Sequence, residues 1–278
     1  MKTEVRSDSR WGKILWVCHG SFELGIALDF GIRIVHAACS GMDNLLYRQP
    51  DDLSDGYFEP NGWRLYGGHR MWSAPEGPLS TTPDNTPIHW KIQPDSILLW
   101  EDPNPITGFQ KSLRLSFLAD GNLRLFHEFK NISSRLVTCA SWGITSLAPG
   151  GCAKIDFSYD PSPSYQPRRS VSLWGSTRLQ DPRLRFEEAA LYATFSPISD
   201  FCKVGIYSHR GIAVYENLNQ RLTLSFPTGA IENLPDGGSN FEIFLCPHFM
   251  ELETLGQLTQ LMPGETASHW EEWKLEAL

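Results

Sequence analysis

Alternation with a period of two residues runs through most of this chain. Apolar side chains at every second position, bounded by Gly, Pro, Asn and Asp, predict strands at Ile14–Cys18, Ala27–Val35, Ser112–Phe117, Leu123–Phe129 and Leu136–Ser141, and again at Lys203–Tyr207, Ala213–Glu216, Leu222–Phe226 and Phe241–Cys246. Successive side chains of a strand point to opposite faces, so this pattern buries one face and leaves the other for solvent or a ligand. Windows with the period of an amphipathic helix are scarce. Asp120-Gly121-Asn122 lies between two of the strands and predicts a hairpin, because glycine accepts the positive φ that tight turns require. Many short strands joined by turns predict an all-β fold of packed antiparallel sheets. No internal repeat or low-complexity linker interrupts them. The Pro-rich stretch Asp160–Arg169 has strands of the same character on both sides, so residues 1–278 read as a single domain with a long surface loop there.

Composition narrows the partners. A chain of 278 residues is within reach of one all-β sandwich. The formal net charge of -8, with Lys and Arg scattered, lacks the basic stripe of a nucleic-acid surface and favours neutral or cationic small molecules. No apolar run approaches the roughly 20 residues of a membrane span. Met1–Arg10 is polar where a secretion signal needs an apolar stretch, so a soluble, cytoplasmic protein that does not engage membranes is expected. The six cysteines are widely spaced, with no C-x-x-C pair and no Cys/His grouping at zinc spacing; they read as reduced packing residues, and no metal site is expected. Oligomeric state is not encoded in any of these features.

The segment Met250-Glu251-Leu252-Glu253-Thr254-Leu255-Gly256 carries the best clue to chemistry. Read as a strand, it projects Glu251 and Glu253 together while Met250, Leu252 and Thr254 point the other way. Neighbouring carboxylates repel, so one holds its proton more tightly than a free Glu, which suits a base for proton transfer on a small polar substrate. Upstream, Asn240 and Glu242 share a face and extend this acidic, hydrogen-bonding wall. In Arg64–Glu76, the pair Gly67-Gly68 lets backbone approach a ligand, Trp63 or Trp72 offers a surface for a sugar ring, and His69 and Arg70 offer hydrogen bonds to hydroxyls. A turn with structural hydrogen bonds is the alternative. His127 shares a face with Leu123, Leu125 and Phe129, either as a core residue or in a pocket over a sheet, and Trp142 is equally open between core and platform. No nucleophile elbow, phosphate loop, dinucleotide fingerprint or H-E-x-x-H helix is present.

Taken in order, Tyr66-Gly67-Gly68-His69-Arg70 with Trp72, Ala74-Pro75-Glu76, Pro83-Asp84-Asn85, Gly108-Phe109-Gln110-Lys111, His127 with Asn131, Trp142 to Gly151, and Glu251 to Gly256 resemble an uncharacterised bacterial family of the galactose mutarotase-like superfamily. The resemblance implies the β-supersandwich of large twisted antiparallel sheets that aldose 1-epimerases share with some glycan hydrolases and lyases, and it implies a sugar or oligosaccharide as partner, with no cofactor. Against the aldose 1-epimerases, Leu252-Glu253-Thr254 with the later Leu261, Pro263-Gly264-Glu265 and a late Trp lines up. Glu253 is thereby the implied base for anomer interconversion, and Arg70 the arginine that contacts hydroxyls. Where those enzymes carry an acid histidine this chain reads Ala140-Ser141-Trp142-Gly143, so His69 or His127 is the expected acid. Trp72, Trp142, Glu251, Lys111 and Glu242 complete the expected binding set. A non-catalytic carbohydrate-binding protein is the alternative. A glycan hydrolase or lyase stands behind it, since carboxylates two apart on one strand face stand about 6.5–7 Å apart.

Overall fold

A computed structural model describes residues 1–9, 11–50, 62–77, 80, 82–158, 162, 165 and 168–278. Most of Asp160–Arg169, read above as a surface loop, lies outside the described residues. Strands are numbered in chain order. The first sheet has eleven of them: β1 (Lys2–Asp8), β2 (Gly12–His19), β3 (Phe22–Ala27), β4 (Arg33–Cys39), β5 (His69–Ala74), β10 (Val137–Leu147), β19 (Met250–Leu255), β18 (Phe241–Leu245), β15 (Cys202–Ile206) and β12 (Val171–Leu173) in spatial order, with β20 (Thr259–Leu261) pairing the start of β10. The second has ten: β13 (Leu184–Phe186), β14 (Ala190–Thr194), β11 (Cys152–Asp156), β16 (Ile212–Asn217), β17 (Gln220–Ser225), β21 (Thr266–Ala277), β9 (Leu123–Asn131), β8 (Phe109–Phe117), β7 (Ser96–Trp100) and β6 (His89–Gln93). The pairings between these strands are antiparallel throughout.

The all-β expectation holds, and the hairpin at Asp120–Asn122 forms with Gly121 at φ 86° and the Leu118 N–H donating to the Asn122 carbonyl at 2.8 Å. The stretch Ala27–Val35, expected as one strand, is divided between the end of β3 and the start of β4. Gly31, at φ 56°, makes the turn beneath the Asp84 carbonyl, where a Cβ would stand 2.6 Å from that oxygen. The glycine-rich segment Arg64–Glu76 contains a strand, β5, as well as a turn.

One apolar core fills the space between the sheets. Leu123, Leu125 and Phe129 of β9 and Trp273 and Leu275 of β21 meet Met71, Met250, Leu252 and Val204 of the first sheet. Each was placed inward by the two-residue alternation of its strand. A second apolar cluster, with Trp63, Trp72, Trp142, Ile144 and Phe249, covers the other face of β5, β10 and β19. The central strands of the first sheet are therefore buried on both faces.

The interior core also holds polar groups. His69 Nε2 lies 2.9 Å from His127 Nε2, and His69 Nδ1 lies 3.0 Å from Thr145 Oγ1 and 3.3 Å from Glu271 Oε1. Thr254 donates to Glu271 at 2.9 Å, His269 Nε2 lies 2.9 Å from Thr254 Oγ1, and the Trp273 indole donates to Glu271 at 3.2 Å. Burial in this apolar setting keeps the imidazoles neutral: it carries His69 well below the ordinary range, His127 to about 4 and His269 to about 3, while it pushes the Glu271 carboxyl up to about 7.

These shifts fix the pH dependence of stability. The histidines titrate near 6.5 when unfolded, so what they contribute is present above that pH and lost as pH falls through their folded values. Glu271 acts in the opposite sense: its contribution is full below its unfolded value of 4.5 and is lost as pH rises through about 7. Within this cluster three histidines outweigh one carboxyl between these limits, so what the cluster contributes to unfolding free energy falls by roughly 1–3 kcal/mol per pH unit as pH drops from about 6.5 to 4.5. Urea titrations of the native protein and of His269→Gln across that window check this: losing the histidine makes the fall in stability with falling pH shallower by about 1 kcal/mol per pH unit, and identical slopes in the two proteins would overturn the assignment.

Candidate functional site

The outer face of β5, β10, β19, β18 and β15 carries a cavity of about 330 Å³. Strand register assembles its floor. Arg70 pairs with Ile144, Ile144 with Glu253, Glu253 with Glu242 and Glu242 with Gly205, so five strands deliver neighbours in one transverse row. In the adjacent row Ser146, Glu251, Phe244 and Lys203 are likewise register partners. Alternation along β19 turns Glu251 and Glu253 outward to this cavity and Met250 and Leu252 inward to the core, as the sequence pattern requires. Trp63, Trp72, Trp142, Phe201 and Phe249 form the walls, with Trp72 edge-on to both Trp63 and Trp142.

Two ion-paired groups meet on the floor. Arg70 donates to Glu251 Oε1 at 2.9 Å and to Ser146 Oγ at 3.2 Å, while Ser146 donates to the same Glu251 oxygen at 2.6 Å. The Arg70 guanidinium lies 4.8 Å from the centroid of Trp72, which fixes its plane. The second group is built on Glu253, whose Oε2 accepts from the Trp142 indole N–H at 2.9 Å and from Lys203 Nζ at 3.2 Å. Lys203 Nζ also stands 2.9 Å from Glu242 Oε2. Gly205, the register partner of Glu242, packs against Ser239 and Trp174: a Cβ there would stand 2.4 Å from Ser239 Oγ and 3.4 Å from Trp174.

Burial disfavours the Lys203 ammonium, but the Glu253 and Glu242 carboxylates outweigh it and hold its pKa above the ordinary lysine range. Burial pushes Glu253 above 4.5; Lys203 opposes the shift and Glu251 adds to it. Glu242 is raised further, again chiefly by burial, with Lys203 opposing and Glu253 reinforcing. Of the two carboxyls Glu242 therefore holds its proton the more tightly, which spares the site two like charges on paired strands.

Of the residues singled out from the sequence, Glu253, Glu251, Arg70, Trp72 and Trp142 converge on the cavity and Glu242 lies directly beneath it. Trp142 is both core and cavity wall. His69 and His127 lie in the interior between the sheets, and His69 faces away from the cavity because it precedes Arg70 on β5. Lys111 is on β8, 3.3 Å from Glu101, and lines a separate hollow with Asp84 and Asn104. Sequence reasoning missed Lys203, Phe249 and Trp174. Lys203 left a signal: it is the one charged residue in the run Phe201–Tyr207, and a lysine on a buried strand calls for carboxylate partners.

His69, His127 and Glu271 form the group among the described residues whose donor atoms could share a metal ion, all lying within 4.8 Å of one another. They are fully buried and already engage one another, Thr145 and Thr254. All six cysteines are free. No helix among the described residues is long and apolar enough to cross a membrane.

No protein-family model matches the chain, and no curated protein matches it in sequence. Solved structures do match it in fold. A candidate aldose 1-epimerase of Escherichia coli K12 superposes with a TM-score of 0.57 at 14% identity, over 95% of this chain and 99% of its own. A galactose mutarotase-like protein of Clostridium acetobutylicum gives 0.55 at 14% identity over 99% of both chains. One from Lactobacillus casei ATCC 334 gives 0.55 at 12% identity, over 95% of this chain and 100% of its own. At such identities the likeness is one of fold, and the fold of this chain is the galactose mutarotase-like sandwich of two large antiparallel sheets.

Proposed function

We propose that the cavity binds a sugar and that the protein interconverts its anomers by proton transfer, with Glu253 as the base and the whole of residues 1–278 acting as one domain. One observation carries this reading: a buried carboxylate on the floor of an aromatic-walled cavity, held between an indole N–H and an ammonium. Aromatic walls suit the apolar faces of a pyranose, and the Arg70–Glu251 pair suits its hydroxyls. Glu253 takes the proton of the anomeric hydroxyl, the electron pair left on that oxygen forms the carbonyl, and the bond from C1 to the ring oxygen breaks. Lys203 gives a proton to the ring oxygen as it becomes an alkoxide, and the protonated Glu242 restores it. Rotation about the C1–C2 bond and reversal of the steps give the other anomer. Lys203 takes the acid role that the sequence assigned to His69 or His127, because both imidazoles face the interior. The scheme uses no cofactor.

The pairing of Lys203 with both carboxylates favours a second reading, a sugar-binding protein without catalysis, since the ammonium is already committed to carboxylates. Hydrolysis ranks below both: Glu242, Glu251 and Glu253 rise from neighbouring strands of one wall, whereas glycosidases place their carboxylates across the scissile bond.

Proton NMR exchange between α and β anomers of free aldoses separates the first two readings. Glu253→Gln is expected to lower the exchange rate by about 100-fold or more while leaving the folded spectrum intact. Normal exchange in that variant would sink the base assignment, and binding without exchange in the native protein would leave the binding reading. Activity should rise with pH through the Glu253 pKa, which lies above 4.5. Removing the ammonium in Lys203→Met pushes that pKa further up, which a 13C NMR titration of the Glu253 carboxyl in the folded variant reads directly; an unmoved titration would break the link between Lys203 and Glu253.

A further inference from the structure

The sugar cavity continues past Lys203. A second hollow of about 400 Å³, walled by Trp174, Asp236 and Gly77, shares Glu76, Trp142 and Lys203 with the first. Each alone is near the lower end of the roughly 300–1,000 Å³ of small-molecule sites, and joined they form a cleft longer than one pyranose needs. We propose that the second hollow is a subsite for a further sugar unit, so that the ligand is an uncharged oligosaccharide whose reducing-end unit fills the inner cavity and whose next unit stacks on Trp174. This rests on the sugar reading above and extends it.

Trp174 is built into its place. Lys203 Nζ lies 4.5 Å from the centroid of Trp142 and 5.0 Å from that of Trp174, so the ammonium marks the junction between the two hollows with an indole on either side. The turn after β12 is tied to the lysine's own backbone: the Trp174 N–H donates to the Lys203 carbonyl at 3.3 Å, Thr177 Oγ1 donates to the same carbonyl at 2.6 Å, and the Lys203 N–H donates to Thr177 Oγ1 at 2.8 Å. Gly205 leaves room for the ring. Trp174 is nevertheless only half-buried, which leaves part of an indole open beside a fully formed cavity.

Charge selects the ligand class. Arg70 and Lys203, the cations lining the two hollows, are both committed to carboxylates, while the side-chain carboxylates of Glu76 and Asp236 have no hydrogen-bond or ion-pair partner among the described residues. Asp236, held at φ 50°, presents an acceptor for hydroxyls at the outer wall. A phosphate or carboxylate on the ligand meets these acidic groups with no cation left to offset it.

Isothermal titration of the full chain with a monosaccharide, its 6-phosphate, and the matching di- and trisaccharides tests the subsite. The disaccharide is expected to bind about tenfold more tightly than the monosaccharide, with the 6-phosphate weaker than either. Trp174→Ala should erase the disaccharide's advantage and leave monosaccharide affinity as it was. Asp236→Asn, which keeps a side chain tolerant of positive φ, should weaken the disaccharide alone. Equal affinity for mono- and disaccharide, or parallel loss of both in Trp174→Ala, overturns the subsite and leaves the sugar reading standing. Tighter binding of the 6-phosphate overturns the charge argument. Failure of every saccharide to bind overturns the subsite together with the reading beneath it.

Discussion

The constraint on which this structure depends is the two-residue period of β5, β10 and β19. These strands form the middle of the larger sheet, and each is asked to satisfy a different neighbour on each face: the interior core with its buried polar cluster on one side and the aromatic-walled cavity on the other. A slip of one residue in the pairing of β10 with β19 would turn Glu251 and Glu253 into the core and Met250 and Leu252 into the cavity, so burial of two carboxylates stands guard over the register. The same alternation allots His69 and Arg70, adjacent in sequence, to opposite sides of the sheet.

On the cavity side, the dominant interaction is electrostatic. Two carboxyls on paired strands, Glu242 and Glu253, would repel at close range if both ionised, and the single Lys203 ammonium between them cannot fully neutralise two charges on buried side chains. The least costly arrangement leaves a proton on Glu242. A carboxylate, a cation and a stored proton thus arise from the burial and geometry of three side chains, and they are the components that general acid/base chemistry on a hydroxyl requires.

Much of this was legible in the chain. Strands with a clean apolar alternation, such as β8, β9 and β18, were placed from pattern, and the common face of Glu251 and Glu253 followed from their spacing. What escaped has a common cause: the inward face was not uniformly apolar. Strand β21, twelve residues long, alternates Ala267, His269, Glu271, Trp273 and Leu275 into the core, and the histidine and glutamate mask its hydrophobic period. Strand β5 opens on His69 directly after two glycines and reads as a turn for the same reason. Lys203 was hidden by the opposite effect, an apolar strand whose one charged residue serves the outer face. Trp174 follows a three-residue edge strand, and only the hydrogen bonds of the following turn to Lys203 bring it to the cleft.

The interior polar cluster and the cavity are not independent, because they share the same strands one residue out of phase. Thr254, which bonds Glu271 and His269, follows Glu253; Thr145, which meets His69, lies between Ile144 and Ser146; and His69 precedes Arg70. Arg70, Ile144 and Glu253 are therefore each fixed from behind by a directional bond at a neighbour rather than by apolar packing alone. Apolar contacts tolerate small sliding of one strand over a core, whereas hydrogen bonds between buried groups fail steeply with distance and angle and leave an unpaired group when they do. A polar core beneath β5, β10 and β19 holds the three strands that carry Arg70, Trp142 and Glu253 at fixed relative heights, which is what a site built from separate strands needs if its groups are to meet one ligand.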